Sequence, residues 1–507
     1  MSKISKTKKK KSIKEVCDII FSLEEKYDLN HIKIQGVYFW QLIRFYLYLE
    51  ISKKIGILDS PQQGKVTLKD KLLTFLPFLK NSILSNPLKG NYHKDILIFD
   101  HPRRTIHNKQ YKDIYSYFLI DYLITNNNNN NNNNTINTSS TSMKNTFEVI
   151  ESPYLNKHYT KKENYIKYND KILLGSYINK KLINLKLKDN LSLKTNEIDK
   201  IANLQREISS NFNIEIDLFN IIKVHILDFK YSYKKYDELF KKRTPKYVFV
   251  VVAYENKSMI AAAKDNGVEV IELQHGTIGK YHLGYNYPNP NDKNLKYYPN
   301  KILSFGDYWK EVANYPINKE NIIAIGFPYL EETIQSYINN KKNKNQILFI
   351  SQGVIGKQLS DFAYELAKRL KNSKDKQKDK YQIIYKLHPG EYSNWENNYK
   401  KLKEANNLNN FTVIDNSEIS LYELLSKSEY QIGVYSTAIY EGLTFNCKTF
   451  IIDLPGIEHM DNLVNKNYVK KIENPDEFIE SIHNFKINSY DKDFFFKKYD
   501  KSMINFL

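Results

Sequence analysis

Fully apolar segments alternating with short helical ones constrain this chain more than any other feature. "YVFVVVAYENKS", "SMIAAAKDNG" and "VEVIELQHG" read in turn as an apolar strand, a short helix closed by Gly267, and a second strand. Continuous apolar strands joined through a helix form a βαβ unit, whose parallel strands are covered on both faces. "KILSFGDYWKEVAN" and "NIIAIGFPYLEETIQSYI" continue the alternation, and the Lys/Asn-rich stretch Asn339 to Gln346 reads as a linker. A second series opens at "QILFISQG" and runs through "SDFAYELAKRL", "YQIIYKLHPGE", "FTVID", "SLYELLSKS", "YQIGVYS", "TAIYEGLTF" and "KTFIIDLP". The expected fold is α/β: two Rossmann-like doubly wound domains facing each other across a cleft, with a helical N-terminal region.

The expected boundaries are residues 1–92 for a basic tail and helical region, 93–338 for the first Rossmann-like domain, and 346–507 for the second Rossmann-like domain. The first domain opens with the strand in "HKDILIFDHPRR", which ends on the basic turn His101-Pro102-Arg103-Arg104. It carries an insert over 125–145 with nine asparagines from Asn126 to Asn134. Such a tract has no apolar surface to bury, so a disordered loop is expected there.

Composition narrows the partners. Of 507 residues 41% are apolar, with 40 Tyr and 26 Phe, enough for most of the chain to fold. The net charge is +19, but the excess is spread along a chain that over-uses Lys, Asn, Ile and Tyr together, as a biased composition would. No zinc-finger spacing or aromatic-glycine RNA-binding signature accompanies it, so nucleic acid is not an expected partner. Cys17 and Cys447 form no framework, which points to a reducing, cytoplasmic setting. The start "MSKISKTKKKKSIK" lacks the apolar segment of a secretory signal. "VYFWQLIRFYLYLEISKKIGIL" is interrupted by Arg44 and Glu50 and reads as a buried amphipathic helix rather than a membrane span. The lysine tail reads as a solvated tail, with peripheral contact to an anionic membrane as the functional alternative.

Three clusters fall at strand ends, where open α/β sheets keep their ligands. They are Gln274-His275-Gly276-Thr277, then Lys386-Leu387-His388-Pro389-Gly390-Glu391, then "GVYSTAIYEG" with Ser436-Thr437 opening a helix and Glu441 about one turn in. Unpaired N–H groups and the dipole at a helix start favour a phosphate, and hydroxyls add donors. A carboxylate at Glu441 could accept bonds from ribose hydroxyls. The bland alternatives are a plain helix cap with a solvated glutamate, a satisfied turn histidine at His388, and a tight turn at His275-Gly276.

The combination and its order resemble the bacterial-type capsule and surface polysaccharide glycosyltransferases of the two-Rossmann GT-B architecture. "LQHGTIG" resembles the His-Gly element shared with teichoic-acid glycerophosphotransferases, and "YKLHPGE" and "YSTAIYEGL" resemble the His-Pro and Ser-Ser/Thr motifs of sialyl- and Kdo-transferases. "FWQLIRFYLYLEI" is similar to the opening helix of capsule-type proteins. The resemblance implies an inverting, metal-independent transfer of a sugar from a nucleotide-activated donor to a glycan or lipid-linked acceptor. His388, Ser436 and Thr437 would hold the donor phosphate, with Lys386 adding charge and Gly353 in "SQGVIGK" as the donor loop. Glu441 would take the ribose. His275 would serve as the acceptor base, with Glu255 in "AYENKS" as its rival. The acidic base motif of the sialyltransferases has only "KDNG" as a poor counterpart. Transfer of a polyol phosphate, or nucleotide or carbohydrate binding without catalysis, are the alternative readings. No cofactor is implied beyond the donor substrate, and Asp491-Lys492-Asp493, which formally matches a metal-holding Asp-x-Asp, reads as a surface coincidence.

Overall fold

The computed structural model describes residues 11–58, 68–107, 109–132, 146–154, 157–187, 191–372 and 380–504. Two helices open the chain, α1 (Ile13–Tyr27) and α2 (Phe39–Lys54), followed by α3 (Leu68–Leu84). The first sheet then collects β1 (Ile96–Phe99), β2 (Phe147–Glu151), β3 (Ile166–Tyr168), β4 (Tyr247–Val251), β5 (Glu269–Leu273), β6 (Lys301–Ser304) and β7 (Ile322–Ala324). Its order is β7-β6-β5-β4-β1-β2-β3, with every pairing parallel. The second sheet collects β8 (Asn343–Ile350), β9 (Gln382–Lys386), β10 (Phe411–Ile414), β11 (Ser428–Gly433), β12 (Lys448–Ile452) and β13 (Lys470–Ile472) in the order β10-β9-β8-β11-β12-β13, again all parallel. Both orders reverse direction once, between β1 and β4 and between β8 and β11. Those reversals open crevices at the carboxyl ends of the strands. The expected pair of doubly wound domains is therefore present.

The strands are near-continuous apolar runs because both faces are covered. Val248, Phe249 and Val250 are wholly buried, as are Ile347, Leu348 and Phe349. One apolar core runs from the first sheet through Trp309 to Tyr440 and Leu443 of the second domain. The chain also crosses back: Trp309 Nε1 donates to the Phe495 carbonyl at 2.8 Å, and the Lys497 N–H donates to the Phe305 carbonyl at 2.8 Å. Gly306 and Gly326, the latter at φ +95°, leave the close approach that this returning segment needs. Asp491 caps its short helix by accepting from the Asp493 N–H at 2.9 Å.

The amino-terminal helices form no separate unit. They share a core with α6 (Thr195–Phe212), α7 (Leu218–Arg243) and loop residues Tyr281 and Leu283 of the first domain. Arg44, expected to interrupt an apolar face, is instead wholly buried, with Nε 2.8 Å and Nη2 2.9 Å from the Glu24 carboxylate, and its guanidinium 3.9 Å from the Tyr287 ring centre. Loss of one partner from such a pair strands a buried charge, at about 3–5 kcal/mol.

Two expectations change. The helix α4 (Tyr117–Asn132) runs through the first seven asparagines of the insert. Extending a helix already nucleated by an apolar segment is far easier than starting one, and Tyr117, Leu119 and Leu123 supply that buried start. Residues 133–145 lie outside the described residues. The Lys/Asn linker is also shorter than expected, because β8 already begins at Asn343 and pairs there with Ser428.

Candidate functional site

The carboxyl ends of β1, β4 and β5 face those of β8, β9 and β11. After β5, the buried Gln274 shapes the turn: its Nε2 donates to the Gly276 carbonyl at 2.9 Å, and its Oε1 accepts from the Phe305 N–H at 2.8 Å. The His275-Gly276-Thr277 turn is thereby pressed toward the other domain, where Thr277 Oγ1 lies 3.2 Å from Thr437 Oγ1. A Cβ on Gly276 would stand 3.7 Å from Thr437 Oγ1, an ordinary contact.

His275 is half-buried and wired from behind. Its Nδ1 lies 3.4 Å from Tyr285 Oη, and Tyr285 Oη donates to Glu272 Oε1 at 2.7 Å. Because that hydroxyl proton goes to the carboxylate, the phenol oxygen can only accept from the imidazole. This places the neutral ring's proton on Nδ1 and its lone pair on Nε2. Glu272 is wholly buried in β5 and also accepts from the Ala253 N–H at 3.0 Å, while its Oε2 has no partner among the described residues. Burial raises its pKa to about 7, against the bonds from Tyr285 and Ala253. Burial lowers that of His275 to about 3, with His101 adding to the fall. The Ala253 N–H reaches Glu272 because Val252 takes φ +62°. A β-branched residue in the left-handed region costs on the order of 1–3 kcal/mol and is found where surroundings enforce it.

Across the cleft, Ser436 caps α12 (Thr437–Thr444), its Oγ accepting from the Ala438 N–H at 3.2 Å. The plain-cap reading is thus fulfilled for Ser436, while the Thr437 hydroxyl reaches the other domain. Glu441 is not the solvated residue of the bland reading. It is buried, Tyr422 of α11 (Leu421–Lys427) donates to it, and loss of hydration raises its pKa to about 7 against that bond and the charge of Arg103.

His388 stands at the cleft rim. Its Nδ1 accepts from the Gly390 N–H at 3.1 Å, so the neutral ring carries its proton on Nε2, free to donate outward. Loss of hydration, then the charge of Arg103, lowers its pKa to about 4. Glu391 braces this turn, accepting from the His388 N–H at 2.8 Å, Tyr399 at 2.8 Å and Ser351 at 3.0 Å. A Cβ on Gly353 would meet the Glu391 side chain at 3.4 Å, so this glycine lets the β8 loop lie against the His-Pro turn.

Lys386 is turned to the fold. Its buried ammonium donates to Tyr392 at 2.9 Å and to the Asn416 carbonyl. Glu255 lies in the turn after β4 with its side chain exposed, as expected of a carboxylate in a polar turn, and partial loss of hydration raises its pKa against the pull of Lys257. The neighbouring Tyr254 ring stands 5.9 Å from that of His275.

Sequence reasoning missed the groups that surround these positions. The His101 ring lies 6.2 Å from His275, nearly parallel, and 5.4 Å from Tyr115. Arg103, on the same basic turn after β1, is close enough for its charge to act on both Glu441 and His388. That turn was visible as a strand-end cluster, but nothing local to it names its partners. Glu272 also had a signal: a carboxylate in the middle of the apolar strand "VIEL" demands a buried donor. A cavity of about 650 Å³ lined by Lys264, Glu269 and Asn300 opens at the amino ends of β5 and β6, on the edge of the sheet opposite His275, and is no part of this site.

No protein-family model matches the chain. An uncharacterized protein of Methanocaldococcus jannaschii is 24% identical over 484 residues, covering 90% of this chain and 80% of the relative. Similar solved structures include a UDP-GlcNAc 2-epimerase of Methanocaldococcus jannaschii (12% identity, 79% of this chain and 95% of that one, TM-score 0.44). Others are a UDP-GlcNAc 2-epimerase of Neisseria meningitidis bound to UDP-GlcNAc (14%, 77% and 90%, TM-score 0.40) and the wall teichoic acid polymerase TagF (13%, 82% and 88%, TM-score 0.36). The fold is GT-B. At these identities the likeness names neither substrate nor reaction for this chain.

Proposed function

We propose that this chain is a GT-B glycosyltransferase that moves a sugar from a nucleotide-activated donor to a glycan or lipid-linked acceptor, with inversion. The observation that carries the reading is the Thr277–Thr437 contact, which seats the His-Gly turn against the Ser-Thr helix start. That contact supports the reading because it sets His275 beside a helix start, the pairing of proton acceptor and anion site that the reaction needs.

In this reading the donor phosphates lie at the start of α12, against the Thr437 and Ser436 hydroxyls, with Nε2–H of His388 as a further donor. Arg103 offsets their charge from the opposite domain, and Glu441 takes the ribose hydroxyls. His275 Nε2 accepts the proton of the acceptor hydroxyl. The freed oxygen attacks the anomeric carbon from the face opposite the leaving phosphate, and the anomeric C–O bond to phosphate breaks. The leaving charge is met by donors already in place. The positive charge gained by His275 is met by Glu272 through Tyr285. Contact between the domains keeps out water, the competing acceptor.

Thermal stabilisation of the protein by CMP-, CDP-, UDP- and GDP-linked sugars tests the donor half. One nucleotide family should raise the melting temperature, and His388→Ala and Ser436→Ala should each reduce that rise. No stabilisation by any donor would remove the transferase reading. Phosphorus, rather than sugar alone, in the acceptor product would replace it with polyol-phosphate transfer.

A further inference from the structure

The first domain has a second face that the transfer site does not use. Helix α3 lies against α5 (Asp170–Asn184), and more than half of the exposed large apolar side chains among the described residues sit on these two helices and the turn after α5. Leu76, Ile83 and Leu84 are 62%, 55% and 61% exposed; Tyr177, Leu185 and Leu187 are 59%, 66% and 73% exposed. Isolated exposed leucines need no explanation, but a cluster on adjacent helices marks an interaction surface.

The exposed charges among the described side chains of α3, α5 and the turn after α5 have one sign. Lys80, Lys171, Lys180, Lys181 and Lys186 are exposed on the same elements. Asp170 is the one carboxylate among the described side chains of α3 and α5, and it is wholly buried, accepting from His158 at 3.0 Å. Lys180 reaches Asp228 of α7 at 3.0 Å, and the Lys181 ammonium lies over the Tyr177 ring, 5.6 Å from its centre, within cation–π reach. Aliphatic side chains ringed by lysine suit a lipid surface better than a protein one. Protein interfaces deplete lysine and favour aromatic, Met and Arg anchors. Lysine stems instead reach along apolar surface and place their ammonium groups among anionic headgroups. No helix among the described residues is long and apolar enough to cross a membrane, so the fitting geometry is a helix pair lying in the interface plane.

We infer that the α3–α5 face docks this protein on an anionic bilayer. The inference does not rest on the transferase reading, because it concerns a different surface and is measured without turnover.

The test is co-sedimentation of the full chain with phosphatidylcholine vesicles, with and without phosphatidylglycerol. Binding should need the anionic lipid and weaken as salt rises. Two variants divide the contributions: Leu79→Ser/Ile83→Ser/Leu185→Ser for the apolar part, and Lys80→Glu/Lys181→Glu/Lys186→Glu for the charge. Each should lower affinity at least about tenfold, since three basic contacts or three aliphatic insertions are removed. All six positions are exposed, so the melting temperature serves as the folding control. A third variant, Lys8→Ser/Lys9→Ser/Lys10→Ser/Lys11→Ser, should retain binding. Loss of binding only in that tail variant, equal binding to neutral vesicles, or no binding would each overturn the inference. A dimer in solution that the apolar variant dissolves would assign the face to a second copy and overturn it as well.

Discussion

Two histidines at the carboxyl edge of the first sheet meet buried acids in opposite ways. His158 is clamped directly, Nδ1 2.7 Å from Glu151 and Nε2 3.0 Å from Asp170, and its ring stacks on Tyr168 with centres 3.7 Å apart. Burial alone would lower its pKa, but the bonds to Asp170 and Glu151 outweigh it and raise the value to about 9. His275 meets its acid through a tyrosine, and burial carries its pKa down to about 3. Both nitrogens of His158 are occupied and its proton is held. His275 has a hydrogen-bond partner among the described residues on Nδ1 alone and keeps a neutral ring. A direct ion pair builds a fold, whereas a phenol between imidazole and carboxylate fixes the tautomer and leaves the ring able to accept.

The largest effect that would sharpen this contrast is loss of the acceptor. His275→Ala should lower kcat by about 10²–10⁴, the usual range for general acid–base catalysis, with the melting temperature little changed. Near-full activity would return the residue to a turn role. Next comes the relay. Tyr285→Phe removes the hydroxyl that joins His275 to Glu272, two hydrogen bonds of about 0.5–1.5 kcal/mol each, and should lower kcat about tenfold or more while leaving the donor KM in place. In the native protein kcat should rise with pH through about 7 as Glu272 ionises, and Glu272→Gln should flatten that limb. An unchanged pH profile in Glu272→Gln would break the relay.

His158 should register in stability instead. Its folded pKa is raised above the ordinary 6.5, so the contribution is fully present below about 6.5 and is lost as pH rises toward about 9. Urea midpoints measured across that window should fall in the native protein, and His158→Gln should remove that part of the slope. Gly276→Ala should do least. Its φ is not in the left-handed region, and the added methyl meets Thr437 at van der Waals distance, so stability should change by about 0.5 kcal/mol or less. A large loss of donor binding in that variant would show that the gap beside Thr437 holds ligand.

Much of the fold was legible because local signals agreed. "YVFVVVAYENKS" and "QILFISQG" became β4 and β8, Gly267 closes its helix at φ +74°, and Ser436 caps α12 as its hydroxyl suggested. The Asn-rich tract was misread where an adjoining apolar helix overrode its own preference. Site chemistry was less legible. Lys386 and Glu441 occupy the expected strand end and helix start, yet one is held by Tyr392 and the Asn416 carbonyl and the other is buried beside Tyr422. Neither environment is written within a few residues of the position.

The alternation of apolar strands and helices, by itself, determined two parallel sheets and placed His275, His388 and Ser436 at strand ends, because strand direction and helix starts are local properties. Only the tertiary structure decided which ends meet. Thr277 touches Thr437 across 160 positions of chain, Arg103 acts on Glu441 from the other domain, and Tyr285 joins Glu272 to His275. Protonation followed from that meeting, since a carboxylate or imidazole takes its pKa from the water it loses and the charges brought beside it.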